Sequence, residues 1–192
     1  MTTFAGVKCA IYIIMVKKKH TCPLLLAVLL SMATGCTSDY KEFCTQYQVS
    51  FSCDITNAPY NAVASMGQFV TIRRRTGSTS CTVFNPSLSS TVDVPLSEVE
   101  MRSFAYGLGG LILGQPYFGS DSGGVYAYDL ACPACDRASA RLDINAQGYA
   151  TCPRCDNVYD LNNGGLVTQG EGRPLYRYRV TQSSVSTLYV HN

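Results

Sequence analysis

The sequence contains no tryptophan and almost no histidine. Only His20 and His191 occur among its 192 residues, one towards each end of the chain. Nucleophilic triads and many acid–base sites depend on imidazole, because its pKa lies close to neutral pH. The Asp and Glu residues are scattered, and no pair can be placed on one face. We therefore expect no catalytic residues, and an enzyme is the less favoured class.

Charged residues are also few, and four of the fifteen basic residues lie at the N-terminal end. Lys8, Lys17, Lys18 and Lys19 fall in the first 35 residues, which hold no acid, so eleven basic residues remain against thirteen acidic ones. A nucleic-acid-binding domain needs a basic face, so we expect no nucleic-acid partner. The one basic run, Arg73-Arg74-Arg75, indicates a solvated strand edge, with contact to an anionic lipid or glycan as the alternative.

No apolar run in the leader is long enough to span a bilayer, which takes about 20 residues. The run Pro23 to Ala33 follows the lysines at 17–19 and ends at Ala33-Thr34-Gly35-Cys36. That tetrapeptide resembles the bacterial lipobox, although Ala33 stands where the motif has Leu. A basic segment, a short apolar segment and a small-residue processing site predict a lipoprotein signal over residues 1–35. We expect Cys36 to be the lipidated, palmitate-bearing N-terminus of the mature chain.

The signal predicts a cell-envelope protein, lipid-anchored to a bacterial membrane and facing the periplasm or the exterior. Apolar residues before Met15 are not part of an ordinary signal. Translation from Met15 is one explanation, and a hydrophobic hairpin over residues 10–33 is the alternative, although lysines interrupt it. Residues 36–43 are predicted to be a lipidated tether, and residues 44–192 are enough for one domain.

Residues 44–192 contain short alternating stretches separated by turns. Tyr47 to Ile55 is the clearest half-buried strand, and a helical turn is indicated only at Ser97 to Arg102. Residues 85–95 are predicted to be a connection. Gly107 to Gly114 does not match the Gly-x-Gly-x-x-Gly of a phosphate loop, and we interpret it as a strand packed closely against another backbone. The pattern predicts an all-β sandwich or barrel.

Two cysteine pairs carry the strongest chemical signal. Cys132-Pro-Ala-Cys135 and Cys152-Pro-Arg-Cys155 are separated by sixteen residues, which is typical of a four-thiolate metal site. The proline in each turn fixes φ, and the remaining amides can point at the sulfurs. Arg137 and Arg154 are placed to offset the thiolate charge. The alternative in an exported protein is two disulfides, or one disulfide beside a free thiol pair.

Three further cysteines follow the predicted lipidation residue: Cys44, Cys53 and Cys81. Outside the cytoplasm two of them can form a disulfide, which leaves an odd one buried as a small apolar residue. The sequence does not specify the pairing. A thioredoxin-like role for either Cys-x-x-Cys lacks the βαβ pattern that such a fold requires.

The order of motifs around the second pair resembles the Rieske iron–sulfur domain. In that family a Cys-x-x-His turn is followed by an aromatic residue and Asp, a Gly-rich turn, Pro-Leu and a Tyr-containing strand. The matching segments here are Cys152-Pro-Arg-Cys155, Val158-Tyr159-Asp160, Asn162-Asn-Gly-Gly165, Gly170-Glu-Gly172, Pro174-Leu175 and Tyr176-Arg-Tyr178. The resemblance covers about residues 125–180 and implies a Rieske-like β-sandwich or barrel, with a small metal-binding subdomain over about residues 128–161.

The sequence departs from that family at the ligands. Cys132 and Cys152 fall on the family's cysteine positions, but Cys155 stands where the second His would be and Ala134 where the first would be, with Cys135 next to it. A Rieske cluster needs two imidazoles. Two Cys-Pro-x-Cys turns instead resemble rubredoxin and zinc ribbons, in which one ion takes four sulfurs.

Structural zinc is the favoured cofactor, with mononuclear iron and an all-Cys [2Fe-2S] cluster as alternatives. The favoured function is a zinc-stabilised binding or assembly module whose protein partner the sequence does not identify. The competing functions are an electron carrier and a thiol–disulfide switch.

Overall fold

The computed structural model describes residues 42–117 and 124–192. The predicted leader, the lipidation residue Cys36 and tether residues 37–41 lie outside them. Within the described ranges, no helix is both long and apolar enough to cross a membrane. Most regular structure there is β-strand, which confirms the predicted β class.

The described chain forms thirteen strands, one short α-helix and two 3₁₀ turns. In chain order they are β1 (Val49–Asp54), a 3₁₀ turn (Tyr60–Ala64), β2 (Gln68–Arg74), β3 (Ser80–Asn85), β4 (Ser90–Pro95), α1 (Glu98–Ser103), β5 (Ala105–Tyr106), β6 (Leu111–Gln115), β7 (Tyr126–Asp129), β8 (Asp143–Ile144), β9 (Tyr149–Thr151), β10 (Val158–Asp160), a 3₁₀ turn (Leu161–Asn163), β11 (Leu166–Gln169), β12 (Arg177–Gln182) and β13 (Thr187–His191).

The strands pair antiparallel in two sheets. The large sheet has the order β4-β3-β2-β6-β7-β12-β13-β1-β5, and the small sheet has the order β11-β10-β9-β8. In β1 the alternate residues Val49, Phe51 and Cys53 are buried, which confirms the predicted alternation. A short hairpin, β8 with β9, lies between the two cysteine pairs.

The central strands of the large sheet are buried on both faces. Val70 and Leu113 belong to the main core, which also holds Phe51 from the other end of the sheet. Their chain neighbours Phe69 and Ile112 belong to a second core, shared with the small sheet. Successive strand residues point to opposite faces. The second core therefore packs the small sheet and the cysteine turns against β2, β6 and β7.

The glycine-rich segment packs against backbone, as predicted, but it is a strand only from Leu111 onward, and residues 107–110 form a turn before β6. A Cβ on Gly114 would lie 2.2 Å from the carbonyl oxygen of Gln68, and a Cβ on Gly109 would lie 2.7 Å from the amide nitrogen of Ala131. Any larger residue would force the strands apart, so glycine is required at both positions.

The prediction of a connection over residues 85–95 is wrong, because β4 occupies most of it. This strand pairs along its length with β3 and is largely exposed. An edge strand of this kind is held by backbone hydrogen bonds to one neighbour. Only Val94 of its residues packs against the main core, and Val92 is exposed, so its apolar pattern is too short to indicate a strand. The predicted helical turn is α1, which begins with a capping box between Ser97 and Glu100.

Residues 42–44, at the start of the described chain, pack against β12. Glu42 forms an ion pair with Arg177 at 3.2 Å. The guanidinium groups of Arg177 and Arg179 lie 5.3 Å and 5.1 Å from the ring centroid of Phe43, and the Cys44 N–H donates to the Arg177 carbonyl at 2.7 Å. The last two residues of the predicted tether, Glu42 and Phe43, therefore pack on β12.

One buried carboxylate joins the large sheet to the first cysteine turn. Asp129, at the end of β7, is fully buried and accepts hydrogen bonds from the amides of Leu108 (2.6 Å), Gly109 (2.9 Å) and Ala131 (2.7 Å) and from the Tyr178 hydroxyl (2.6 Å). Burial raises the pKa of Asp129, and these hydrogen bonds oppose the rise. Both carboxyl oxygens are needed as acceptors.

We predict that Asp129→Asn lowers the free energy of unfolding by about 3 kcal/mol, because an amide NH₂ would face groups that all donate. Urea or thermal unfolding measures the change. Asp143→Asn is the matched control, because Asp143 is exposed on β8, and we expect a change within about 0.5 kcal/mol. Equal stability of the two variants would contradict the role assigned to Asp129.

Candidate metal centre

Two strands deliver the predicted cysteine turns. The chain leaves β7 at Asp129 and enters the first turn, Cys132–Asp136, while β9 runs directly into the second turn, Cys152–Asp156. Cys132 and Cys152 are both part of the second core. The first cysteine of each turn is thus fixed by packing, and the second lies nearer the surface.

The two turns share one backbone geometry. The amide of Asp136 donates to the carbonyl of Cys132 at 2.9 Å, and the amide of Asp156 donates to the carbonyl of Cys152 at 3.0 Å. Both aspartates adopt positive φ angles, 48° and 59°. Asp is one of the few residues other than glycine that enters this region at modest cost. The repeated unit is therefore Cys-Pro-x-Cys-Asp, one residue longer than the sequence analysis recognised.

All four predicted cysteines come together. Their Sγ atoms lie within 4.8 Å of one another. The closest pairs cross between the turns, with 3.6 Å from Cys132 to Cys155 and 3.8 Å from Cys135 to Cys152. A tetrahedral ion with bonds of about 2.3 Å to sulfur has sulfur–sulfur edges of about 3.8 Å. The four thiols thus have the spacing of a single metal ion's ligand shell.

These sulfurs are too far apart to be disulfide-bonded, since that bond is about 2.05 Å long. All seven cysteines in the described part of the chain are free thiols, including Cys44, Cys53 and Cys81. Burial raises the pKa of Cys53 to about 12 and also raises the pKa of Cys81. Thiols of this kind are unreactive and pack as small apolar side chains.

A buried tyrosine contacts the first sulfur. The Tyr159 hydroxyl lies 3.3 Å from Cys132 Sγ, and it accepts from Asn157 Nδ2 at 3.4 Å, so its own hydrogen is left to point at the sulfur. Asn157 also donates to the Glu171 carbonyl at 2.7 Å. Burial raises the pKa of Cys132, but hydrogen bonds from Tyr159, the Cys135 amide and the neighbouring thiols lower it below its usual value. The surroundings of Cys132 therefore favour its thiolate, which is the form that binds metal.

The four thiols differ in exposure. Cys132 and Cys152 are fully buried, Cys135 is partly buried and Cys155 is exposed. Burial raises the pKa of Cys152 above its usual value. Hydrogen bonds from the amides of Arg154 and Cys155 oppose this rise but do not cancel it. The cluster consequently has a closed inner side and an edge that faces solvent.

The structure does not give the predicted arginines a direct contact with the cysteines. Arg137 and Arg154 are exposed, and among the described residues neither side chain takes part in an ion pair. The local groups that offset thiolate charge are instead the backbone amides and the Tyr159 hydroxyl. The amides are held beside the sulfurs by the turns themselves, and the Tyr159 hydroxyl is held there by the burial of its ring on β10.

Two tyrosines hold the first turn from outside through contacts that the sequence does not indicate. Asp136 accepts from the hydroxyls of Tyr47 at 2.7 Å and Tyr176 at 2.5 Å, and the two rings pack edge to face with centroids 5.3 Å apart. These hydrogen bonds lower the pKa of Asp136. Tyr47 lies 89 residues from Asp136 in the chain, so no local pattern relates them.

Comparisons with protein families, with curated proteins and with solved structures find no match to this chain.

We predict that the metal-free protein, oxidised with diamide, forms its disulfides between the turns. Cys132 should pair with Cys155 and Cys135 with Cys152, because those sulfurs are nearest to each other. Peptide mapping by mass spectrometry without reduction identifies the pairs. Predominant Cys132–Cys135 and Cys152–Cys155 bonds would contradict the arrangement of the turns.

Proposed function

We propose that this chain is a membrane-anchored, extracytoplasmic lipoprotein whose Rieske-like domain binds one zinc ion through Cys132, Cys135, Cys152 and Cys155. The carrying observation is the set of four sulfurs within 4.8 Å of one another, at the end of two strands and partly within a core. The ion has a structural role, and the domain serves as a binding or assembly module.

The composition of the cluster supports a structural role. Four protein ligands complete a tetrahedral zinc shell and leave no open position for a substrate. Within the described residues, the cluster contains four cysteines and no His, Asp or Glu. The small sheet is built from strands of two to four residues, which have little stability of their own. An ion that joins the two turns would tie this sheet to the end of β7.

The lipid anchor is supported by the sequence before Glu42. Cys36 stands six residues before Glu42, where the contacts with β12 begin. Six residues reach about 20 Å at full extension. Lipidation at Cys36 would accordingly keep β12 and its neighbours close to the membrane surface, in the periplasm or on the cell exterior.

The Rieske likeness is supported by the order of elements around the turns. A hairpin, β8 with β9, separates the two cysteine turns, and β10 and a turn with Gly164 and Gly165 at positive φ follow the second one. This order agrees with the family's motifs, while the all-cysteine ligand set agrees with rubredoxin and zinc ribbons.

The second candidate is an electron carrier with iron in the same site. The exposed Cys155 favours it, because an ion ligated at the surface can exchange an electron with a partner. Of the two iron alternatives, the sulfur spacing supports mononuclear iron over a [2Fe-2S] cluster. A [2Fe-2S] cluster puts two irons between the thiolates and needs them further apart than a single shell does.

Metal analysis with an absorption spectrum tests the proposal. The leaderless chain, residues 37–192, is purified anaerobically from medium that contains both zinc and iron. We expect a colourless protein with one zinc per chain. Iron, visible colour and reversible bleaching on reduction would support the electron carrier instead, and a folded protein without any bound metal would contradict both functions.

We predict that Cys132→Ser and Cys155→Ser each lower the free energy of unfolding by about 3 kcal/mol or more, because metal-binding free energy is folding free energy in such sites. Cys44→Ser is the matched control, since Cys44 is a partly buried thiol outside the cluster. A chelator should destabilise the unsubstituted protein and the Cys44 variant but not the two ligand variants further. Unchanged unfolding of both ligand variants would contradict structural metal binding.

A further inference from the structure

Four arginine residues line one groove beside β2, β3 and β4. Arg73 and Arg74 end β2, Arg75 follows it, and Arg141 comes from the segment after the first cysteine turn. Alternation along β2 places Arg73 on the same face as Thr82 and turns the Arg74 side chain to the opposite face, where it contacts Met101. The hydroxyls of Ser80 and Thr82 also line the groove, which has a volume of about 270 Å³. A run predicted from sequence to be a solvated edge thus faces a fourth arginine that is distant in the chain.

The positive charge in this groove is not balanced by carboxylates. Two ion pairs occur among the described residues, and neither uses a groove arginine. Asp93 is the one acid among the lining residues, and its carboxylate accepts a hydrogen bond from Thr82 at 2.7 Å. Guanidinium groups gathered in one place repel each other. A bound anion would remove that repulsion.

One of the groove arginines is held in place by a backbone carbonyl. Arg141 Nε donates to the Gly109 carbonyl at 2.8 Å, which leaves the two terminal nitrogens of its guanidinium for other acceptors. Arg74 is bound outside the groove, where its Nε donates to the Ser78 carbonyl at 3.0 Å and its Nη1 to the Met101 carbonyl at 2.8 Å. Side chains that are already fixed lose less conformational freedom when a ligand binds.

We propose that this groove binds a phosphate group, with Arg73 and Arg141 as its main ligands. Guanidinium presents paired N–H donors that match two oxygens of a tetrahedral oxyanion. Arg73 is exposed and makes no hydrogen bond or ion pair with other described residues, so its donors are available. The Ser80 hydroxyl adds a further polar group, while the Thr82 hydroxyl already donates to Asp93.

The size of the groove fits this class of ligand. A water molecule takes about 30 Å³ of liquid volume, so the groove has room for one phosphate group together with several waters. The phosphate group can belong to a soluble compound or to an anionic lipid headgroup. The site is separate from the cysteine cluster and does not depend on the identity of the metal.

Calorimetric titration of the full chain with inorganic phosphate tests the site, in neutral detergent at fixed ionic strength. We expect saturable binding that the double variant Arg73→Gln/Arg141→Gln weakens by about tenfold or more. The control Arg102→Gln/Arg179→Gln removes the same charge outside the groove and should change the affinity by less than about twofold. Asp93→Asn leaves every arginine in place and should strengthen binding, because it removes the opposing carboxylate.

Mixed micelles with phosphatidylglycerol or with phosphatidylcholine distinguish the two sources of phosphate. Binding of inorganic phosphate together with preference for phosphatidylglycerol micelles, lost in the groove double variant, assigns the site to a lipid headgroup. Binding of inorganic phosphate without that preference assigns it to a soluble compound. No binding of either probe, or an equal loss in the control double variant, overturns the proposal.

Discussion

The hydrogen bonds to the Asp129 carboxylate fix the relation between the large sheet and the cysteine cluster. They reach the turn before β6, the residue before Cys132, and Tyr178 on β12. Three segments that are distant in sequence therefore hydrogen-bond to the same carboxylate. Because Ala131 is held on one side and Cys132 follows it directly, the large sheet determines where the first sulfur lies. The same carboxylate holds Gly109, whose carbonyl orients Arg141.

The second cysteine turn depends on the small sheet in a similar way. Cys152 follows β9 without a gap, and its amide donates to the Asn157 carbonyl at 2.9 Å, which closes the turn. Asn157 also supports Tyr159, whose hydroxyl contacts the sulfur of Cys132 in the other turn. Each turn is thus fixed by its own backbone. The Tyr159 side chain, which belongs to neither turn, aligns the two. Ligands arranged in advance in this way reduce the ordering cost of binding an ion.

The sequence was sufficient for features that depend on local patterns. The spacing of the two Cys-Pro-x-Cys units predicted the four-thiol cluster, and alternation in β1 predicted the β class. It failed for β4, which is an exposed edge strand, and for the contact of Tyr47 with Asp136, which joins two distant segments. The lipid anchor and the identity of the metal stay predictions, since they depend on residues before Glu42 and on a ligand. The Rieske likeness stays a prediction because no family model and no solved structure matches the chain.

The docking of the N-terminal segment on β12 determines how the domain bears mechanical load. Tension that enters from the side of Glu42 meets the ion pair, the Phe43 ring contacts and the Cys44 hydrogen bond before it reaches β1, and all three act on Arg177. Tyr47 then passes part of the force to Asp136 and so to the first cysteine turn. Tension from that side would therefore act on β12 and on the first cysteine turn as well as on β1, which pairs with β13 and β5.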